Sequence, residues 1–341
     1  MGAHPNSRSS TGLGSAEGSV TWYHGGMLGS KFLPVSARPA WGWTCLALLL
    51  GIGPASSQET ENRPNLERLI LRGTELLKEI PSGWTERKRF SERSKASSVA
   101  RIQRRLGTEK ILPDYKLADE SFQIYRPENF NKDEEYGLFV WINALPVGYC
   151  SAAWRPVFDR HKLIFIGADN SGNVRPVHIR FGLALDAVHH MQKAYHIDPE
   201  RIYVSGPSGG GRAASVMGVL WGDIFDGAFP MIGCKYYQDV ASPVENAQAW
   251  PASFRTPPER FLQYIKGRNR YVFLTGEFDF NRRQMEATAL AYKGDKFQHI
   301  DSLVVPGLGH WAPDAHQFDA GIILLDKPLN RPDLPATPSS E

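Results

Sequence analysis

The stretch "YVSGPSGGGRAAS", residues 203–215, sets four glycines and a proline around Ser208. Glycine weakens strand and helix interiors and proline breaks them, so this stretch must be a junction. Upstream, "IDPERIYVSG" reads as a turn followed by a buried strand, and downstream "RAASVMGVLWG" has helical period. Gly206-Pro207-Ser208-Gly209-Gly210 fits G-x-S-x-G, a sharp strand-to-helix turn that lifts a serine out of the chain. The motif alone is weak in a chain with 32 glycines, and its strand-before, helix-after setting is what gives it weight. A helix starting behind Ser208 aims backbone N–H groups and a positive dipole end at the serine, which suits a developing oxyanion. No lysine follows at phosphate-loop spacing, so a nucleotide-binding reading is poor.

Working outward, "SFQIYRP", "YGLFVWINA", "KLIFIGA", "GAFPMIG", "RYVFLTG" and "HIDSLVVPG" read as further strands. "RFGLALDAVHHMQKAYH" and "RRQMEATALAYKG" read as helices between them. Strands alternating with helices predict an α/β fold, a mostly parallel sheet with crossover helices, over residues 115–330. In such sheets ligands gather at the carboxyl ends of the strands, where Ser208 would lie.

A serine hydroxyl needs a base, and the base an orienting acid. Asp279 in "YVFLTGEFDFN" stands just beyond one strand, with Glu277 in reserve. His310 in "LVVPGLGHWAPD" stands just beyond the last strand, with His316 as its rival. Singly, Asp279 also reads as a helix cap and His310 as a surface loop residue; together they follow the order Ser, Asp, His at three strand ends. The adjacent His189 and His190 point apart on a helix and make no ligand pair.

The 341 residues carry a net charge of +3, 42% apolar and 22% charged residues, ordinary for a globular protein and no argument for a nucleic-acid partner. Residues 41–57 contain the short apolar run "CLALLLGIG" and then small residues, with Ala55 and Ser57 placed as before a signal-peptidase cut at Gln58. Export is the expectation for residues 1–57, with Met27 as an alternative start. Cys45 precedes the leucine run, which speaks against a lipoprotein anchor or other stable membrane attachment. Residues 58–114 are expected to form a helical and basic segment, with a helix over 65–80. Residues 86–105 hold eight Lys/Arg against two Glu, read as a solvated helix or linker in preference to a polyanion site. Cys150 and Cys234 remain in the mature chain, either as a disulfide across the active-site edge or as two unpaired core thiols. Residues 331–341 read as a loose tail.

The stretches "IDPERIYVSGPSGGG", "LTGEFDFN" and "VPGLGHW" resemble those of α/β-hydrolase esterases, similar to polyhydroxybutyrate depolymerases and feruloyl or acetylxylan esterases, over residues 120–325. The resemblance implies Ser208 as nucleophile, Asp279 as orienting acid and His310 as base, with no metal or organic cofactor. It implies Gly209 N–H as one oxyanion donor and Ala144 or Leu145 N–H as the other, because Asn143-Ala144 stands where the family has His-Gly. Asn143, Asp169, Asn170, Arg175 and Trp311 are then pocket candidates, although "GADNSGNVR" also reads as a polar turn. Tyr236, Tyr237, Trp250 and Phe254 read as an aromatic wall or as local packing. The substrate would be a carboxylic ester, with polyester, esterified polysaccharide and short-chain ester all open. Related readings are a serine peptidase of the prolyl-oligopeptidase kind and a non-catalytic binding protein on the same fold.

Overall fold

The computed structural model describes residues 85–327. The expected signal region, the helix over 65–80 and the C-terminal tail lie outside the described residues. Eight strands form one sheet: β1 Glu86–Lys88, β2 Phe122–Tyr125, β3 Tyr136–Trp141, β4 Leu163–Ala168, β5 Ile197–Pro207, β6 Gly227–Met231, β7 Arg270–Gly276 and β8 His299–Val305. Their spatial order is β1-β2-β4-β3-β5-β6-β7-β8. β2 runs antiparallel to both β1 and β4, and every other pair is parallel. This is the α/β-hydrolase fold. The helices are α1 Val99–Leu106, α2 Arg155–Arg160, α3 Val177–Ala194, α4 Gly209–Leu220, α5 Glu259–Arg268, α6 Arg282–Gly294 and α7 Ala315–Leu325.

The central strands are near-continuous apolar runs because both faces are covered. Leu138, Val140 and Ile142 point into one hydrophobic layer with α3 and α4, while Phe139 and Trp141 point into the other with Trp154, Phe158 and Phe318. From β3 the chain steps outward to β4 and then crosses back to β5 on the other side. That reversal opens a crevice at the carboxyl ends of β3 and β5, the place where open α/β sheets receive ligands.

The sheet begins earlier than residue 115. Glu86, Arg87 and Lys88 pair with Ile124, Gln123 and Phe122, so the basic segment opens on an edge strand. Arg105 holds Asp223 with two nitrogens at 2.8 and 2.6 Å. Arg89 donates to the carbonyl of Asp119 at 2.8 Å. The wholly buried carboxylate of Asp186 on α3 accepts from Ser94 N at 2.7 Å, Ser97 Oγ at 2.6 Å and Tyr115 Oη. Arg87, Arg89, Lys95, Arg101 and Arg104 stay exposed, as the solvated reading of this segment has it.

The disulfide does not form. Cys150 and Cys234 are both free and fully buried. Cys150 packs in the layer of Phe139 and Trp141, and Cys234 in that of Val140 and Ile142, so they belong to opposite faces of the sheet. Burial pushes both thiols up to about 12, which leaves them inert core residues. Tyr236, Tyr237 and Phe254 are likewise core, with both tyrosine hydroxyls on Asp295 at the end of α6.

Candidate active site

Ser208 occupies the turn between β5 and α4 with φ 53° and ψ −115°, a left-handed conformation that a non-glycine residue enters only under strain. Its amide donates to Met231 O at 2.9 Å and its carbonyl accepts from Arg212 N at 3.0 Å, so β6 and α4 hold the bend from both sides. The glycines around it follow from backbone crowding. A Cβ at Gly206 or Gly210 would strike the carbonyl oxygen of Ile142 at the end of β3. Any side chain there would push β3 away from the elbow.

The Ser208 hydroxyl does not cap α4 and turns instead to His310. Ser208 Oγ lies 3.0 Å from His310 Nε2, and His310 Nδ1 lies 2.7 Å from Asp279 Oδ1. With Nδ1 protonated and donating to the carboxylate, Nε2 is free to accept the serine proton. The Asp279 side chain is wholly buried and fully engaged. Oδ1 also accepts from Asn281 N at 3.0 Å, and Oδ2 accepts from Thr275 Oγ1 at 2.8 Å. Donors on both oxygens hold this buried carboxylate in one orientation. The three residues read from the sequence are therefore brought together.

The reserves take other places. Glu277 accepts from Gly307 N at 2.9 Å, bracing the loop that carries His310. His316 is exposed on the first turn of α7 and does not meet Ser208. Phe280 stacks on the His310 ring at 4.0 Å between centroids. Phe278 and Phe280 are 72% and 75% exposed, so Phe280 covers the imidazole without burying itself.

The loop after β3 is pinned at the carbonyls of Asn143 and Ala144. Arg180 on α3, only 5% exposed, donates through Nη2 to Asn143 O at 3.0 Å and through Nε to Ser171 O at 2.9 Å. Burial pulls its guanidinium down to about 10, still a cation at neutral pH. Asn173 N donates to Ala144 O at 2.9 Å. Leu145 N is taken by Asn143 Oδ1 at 3.2 Å, so of the two expected donors on this loop Ala144 N–H is the one left over.

Several pocket candidates are corrected by these contacts. The buried side chain of Asn143 is turned onto its own loop, its Nδ2 donating to Val147 O at 2.8 Å. Asp169 accepts from Gly148 N, Gln123 Nε2 and Ser121 Oγ and pairs with Arg87, and so fastens the loop to the sheet. Arg175 pairs with Glu120, a carboxylate itself almost buried. Asn170 adopts φ 53° and gives its amide to Pro146 O at 3.0 Å, as the polar-turn reading of this stretch requires. Trp311 is half-buried, its ring against the backbone of Gly309.

Sequence reading missed Asn173, Arg180 and Phe280. Arg180 had a visible signal, a lone arginine in the apolar run "IRFGLALDAV" that opens α3. Asn173 and Phe280 had none beyond their nearness to marked residues.

No protein-family model matches the chain, and no curated protein matches it. Among solved structures it is similar to an arylesterase, with TM-score 0.48 and 18% identity over 78% of this chain and 93% of that one. It is also similar to the feruloyl esterase module from Clostridium thermocellum, with TM-score 0.45 and 16% identity over 60% and 81% of the two chains. A third likeness is to a protein from Bacteroides ovatus assigned as a dipeptidyl aminopeptidase IV, with TM-score 0.41 and 15% identity, of which this chain spans 33%. Among the described residues no helix is long and apolar enough to cross a membrane.

Proposed function

We propose that this protein is a serine hydrolase that cleaves carboxylic esters through an acyl-enzyme. The observation that carries the reading is the hydrogen-bonded chain from Ser208 through His310 to Asp279, with the serine on a strained turn at the start of α4. Ser208 Oγ attacks the ester carbonyl while its proton passes to His310 Nε2. Asp279 holds the imidazole tautomer and stabilises the imidazolium. The tetrahedral oxyanion is received by Gly209 N–H and Ala144 N–H, with the dipole of α4 behind them. His310 then returns the proton to the departing alkoxide, and a water repeats the sequence to release the acid. The exposed Phe280, stacked on His310, offers an apolar surface suited to an apolar ester group. We further propose that the chain is exported, on the support of the apolar run and small residues at 41–57.

A panel of p-nitrophenyl, feruloyl, acetyl-sugar and polyhydroxybutyrate esters tests the activity, alongside a fluorophosphonate label. Wild type should hydrolyse at least the activated esters and take the label on Ser208. Ser208→Ala should lose both while keeping its fold. Label on another residue, or full activity in Ser208→Ala, would end the reading. Mass measurement of protein secreted by its host, with a new N-terminus near Gln58, tests export.

A further inference from the structure

Two of the glycines in the elbow are explained by Ile142 O, but Gly209 is not. It stands at the position that G-x-S-x-G leaves free, where a side chain is compatible with the turn itself. What forbids a side chain there is Asn173. A Cβ at residue 209 would collide with Asn173 Oδ1 and come within 2.9 Å of Nδ2. The Asn173 carboxamide thus lies directly over the residue whose amide is placed to receive an oxyanion.

Three further facts bear on its use. Asn173 is an exposed residue, and among the described residues none hydrogen-bonds its carboxamide. Its backbone amide donates to Ala144 O at 2.9 Å, which ties it to the loop carrying the second oxyanion donor. The loop is rigid where it matters, because Arg180 bridges Ser171 O and Asn143 O. Asn173 is tied by its backbone to the loop of Ala144 and lays its carboxamide against Gly209, so a turn of its terminal torsion would bring Nδ2–H to an oxygen bound by the Gly209 amide.

We infer that the Asn173 carboxamide is a third oxyanion donor, its Nδ2–H bonding the carbonyl oxygen as it becomes negative. Gly209 lacks a side chain so that the amide can approach. The inference rests on the esterase reading and adds to it a residue that contacts the reacting atoms.

The test measures Ser208→Ala, Asn173→Ala and Asn173→Asp on p-nitrophenyl acetate and its thionoester, in which sulfur replaces the carbonyl oxygen and accepts hydrogen bonds poorly. Asn173→Ala should lower kcat by on the order of 10² with KM little changed, the usual consequence of losing one oxyanion donor. The preference for oxoester over thionoester should narrow in the same variant, which a merely structural role would not produce. Asn173→Asp keeps the shape but opposes the oxyanion with a carboxylate, and should be at least as impaired. Far-UV circular dichroism and the thermal midpoint should match wild type for both variants, as Asn173 is exposed. An inactive Ser208→Ala beside wild-type kcat in either Asn173 variant would overturn the inference and leave the esterase reading standing. An unchanged oxoester preference in an impaired Asn173→Ala would overturn it as well. An active Ser208→Ala would remove the reading and the inference together.

Discussion

Arg180→Met offers a perturbation in which stability and activity should part company. The guanidinium is buried, and among the described residues it has no carboxylate partner and bonds the carbonyls of Ser171 and Asn143. Removing it strands two buried carbonyls, each costing about 1–3 kcal/mol. Against this stands relief from burying an unpaired cation, whose fall from the ordinary guanidinium value to about 10 corresponds to about 3 kcal/mol. The sign is set by the direction of the shift. A base whose folded pKa is depressed makes the folded state less stable at all pH below that pKa, so at pH 7 the relief is fully realised. The two effects nearly cancel, leaving a net loss of about 1 kcal/mol, or about 2–4 °C in Tm for a domain of this size. Activity has no such compensation. The Asn143 carbonyl and the Ala144 N–H are two ends of one peptide unit, so releasing the carbonyl releases the donor. A donor free to rotate forfeits much of its preorganisation, and kcat should fall by about 10-fold to 10²-fold with KM nearly constant. Differential scanning calorimetry and steady-state hydrolysis of p-nitrophenyl acetate measure the two sides. Arg180→Lys, which reaches only one of the two carbonyls, should fall between. A kcat within about twofold of wild type, a loss too small for a displaced oxyanion donor, would show that the guanidinium does not position the Ala144 amide.

Asp279→Asn should lower kcat by up to about 10⁴ with little loss of Tm, and a drop of less than about 10-fold would remove Asp279 from the mechanism. Gly210→Ala drives a methyl group into Ile142 O, and should cost about 1–3 kcal/mol or more in urea unfolding together with activity; a fully active, stable variant would contradict the elbow geometry. Far from the site, Asp326 accepts from Tyr203 Oη at 2.7 Å and Arg201 Nη2 at 2.9 Å and meets His161 Nδ1 at 3.2 Å. Burial alone would raise this carboxyl, yet the hydrogen bonds from His161 and Arg201 hold it at about 2, while its bond in turn raises His161. The Asp326 contribution is present above the unfolded carboxylate pKa and fades towards pH 2; that of His161 is present below about 6.5 and fades as pH rises through its folded value. Asp326→Asn should therefore depress Tm most near pH 5 and less at pH 3 or pH 9, and a pH-independent deficit would refute the coupling.

The fold was legible because its strands are covered on both faces. Runs such as "LIFIGA" and "YVFLTG" have no reading as exposed structure, and they mark β4 and β7 to within a residue or two. Ser208, Asp279 and His310 were legible for a related reason: each follows such a run directly, so the strand fixes its place at the sheet edge. Elements whose stability comes from tertiary partners were hidden. β1 is three charged residues that become a strand only by pairing with β2, and α2 and α5 carry no long periodic pattern. The cysteines misled because nearness to one sheet edge in sequence says nothing about which face a side chain enters, and the loops that carry Cys150 and Cys234 turn them into different layers.

The polar residues near the site divide in a way that only coordinates reveal. Asn143, Asp169 and Arg175 look like pocket groups by type and position, but each already has its hydrogen bonds inside the protein. A group so engaged is unable to serve a substrate without breaking a buried bond, which costs about 1–3 kcal/mol before any gain. Asn173 differs from them in having an unspent carboxamide over the one glycine that the elbow itself does not require. Chemistry at this crevice is therefore assigned by what the scaffold has left free. Asn143, Asp169 and Arg180 hold the loops still, and on the proposed esterase reading Ser208, His310, the Gly209 and Ala144 amides and Asn173 are the groups left to bond a substrate.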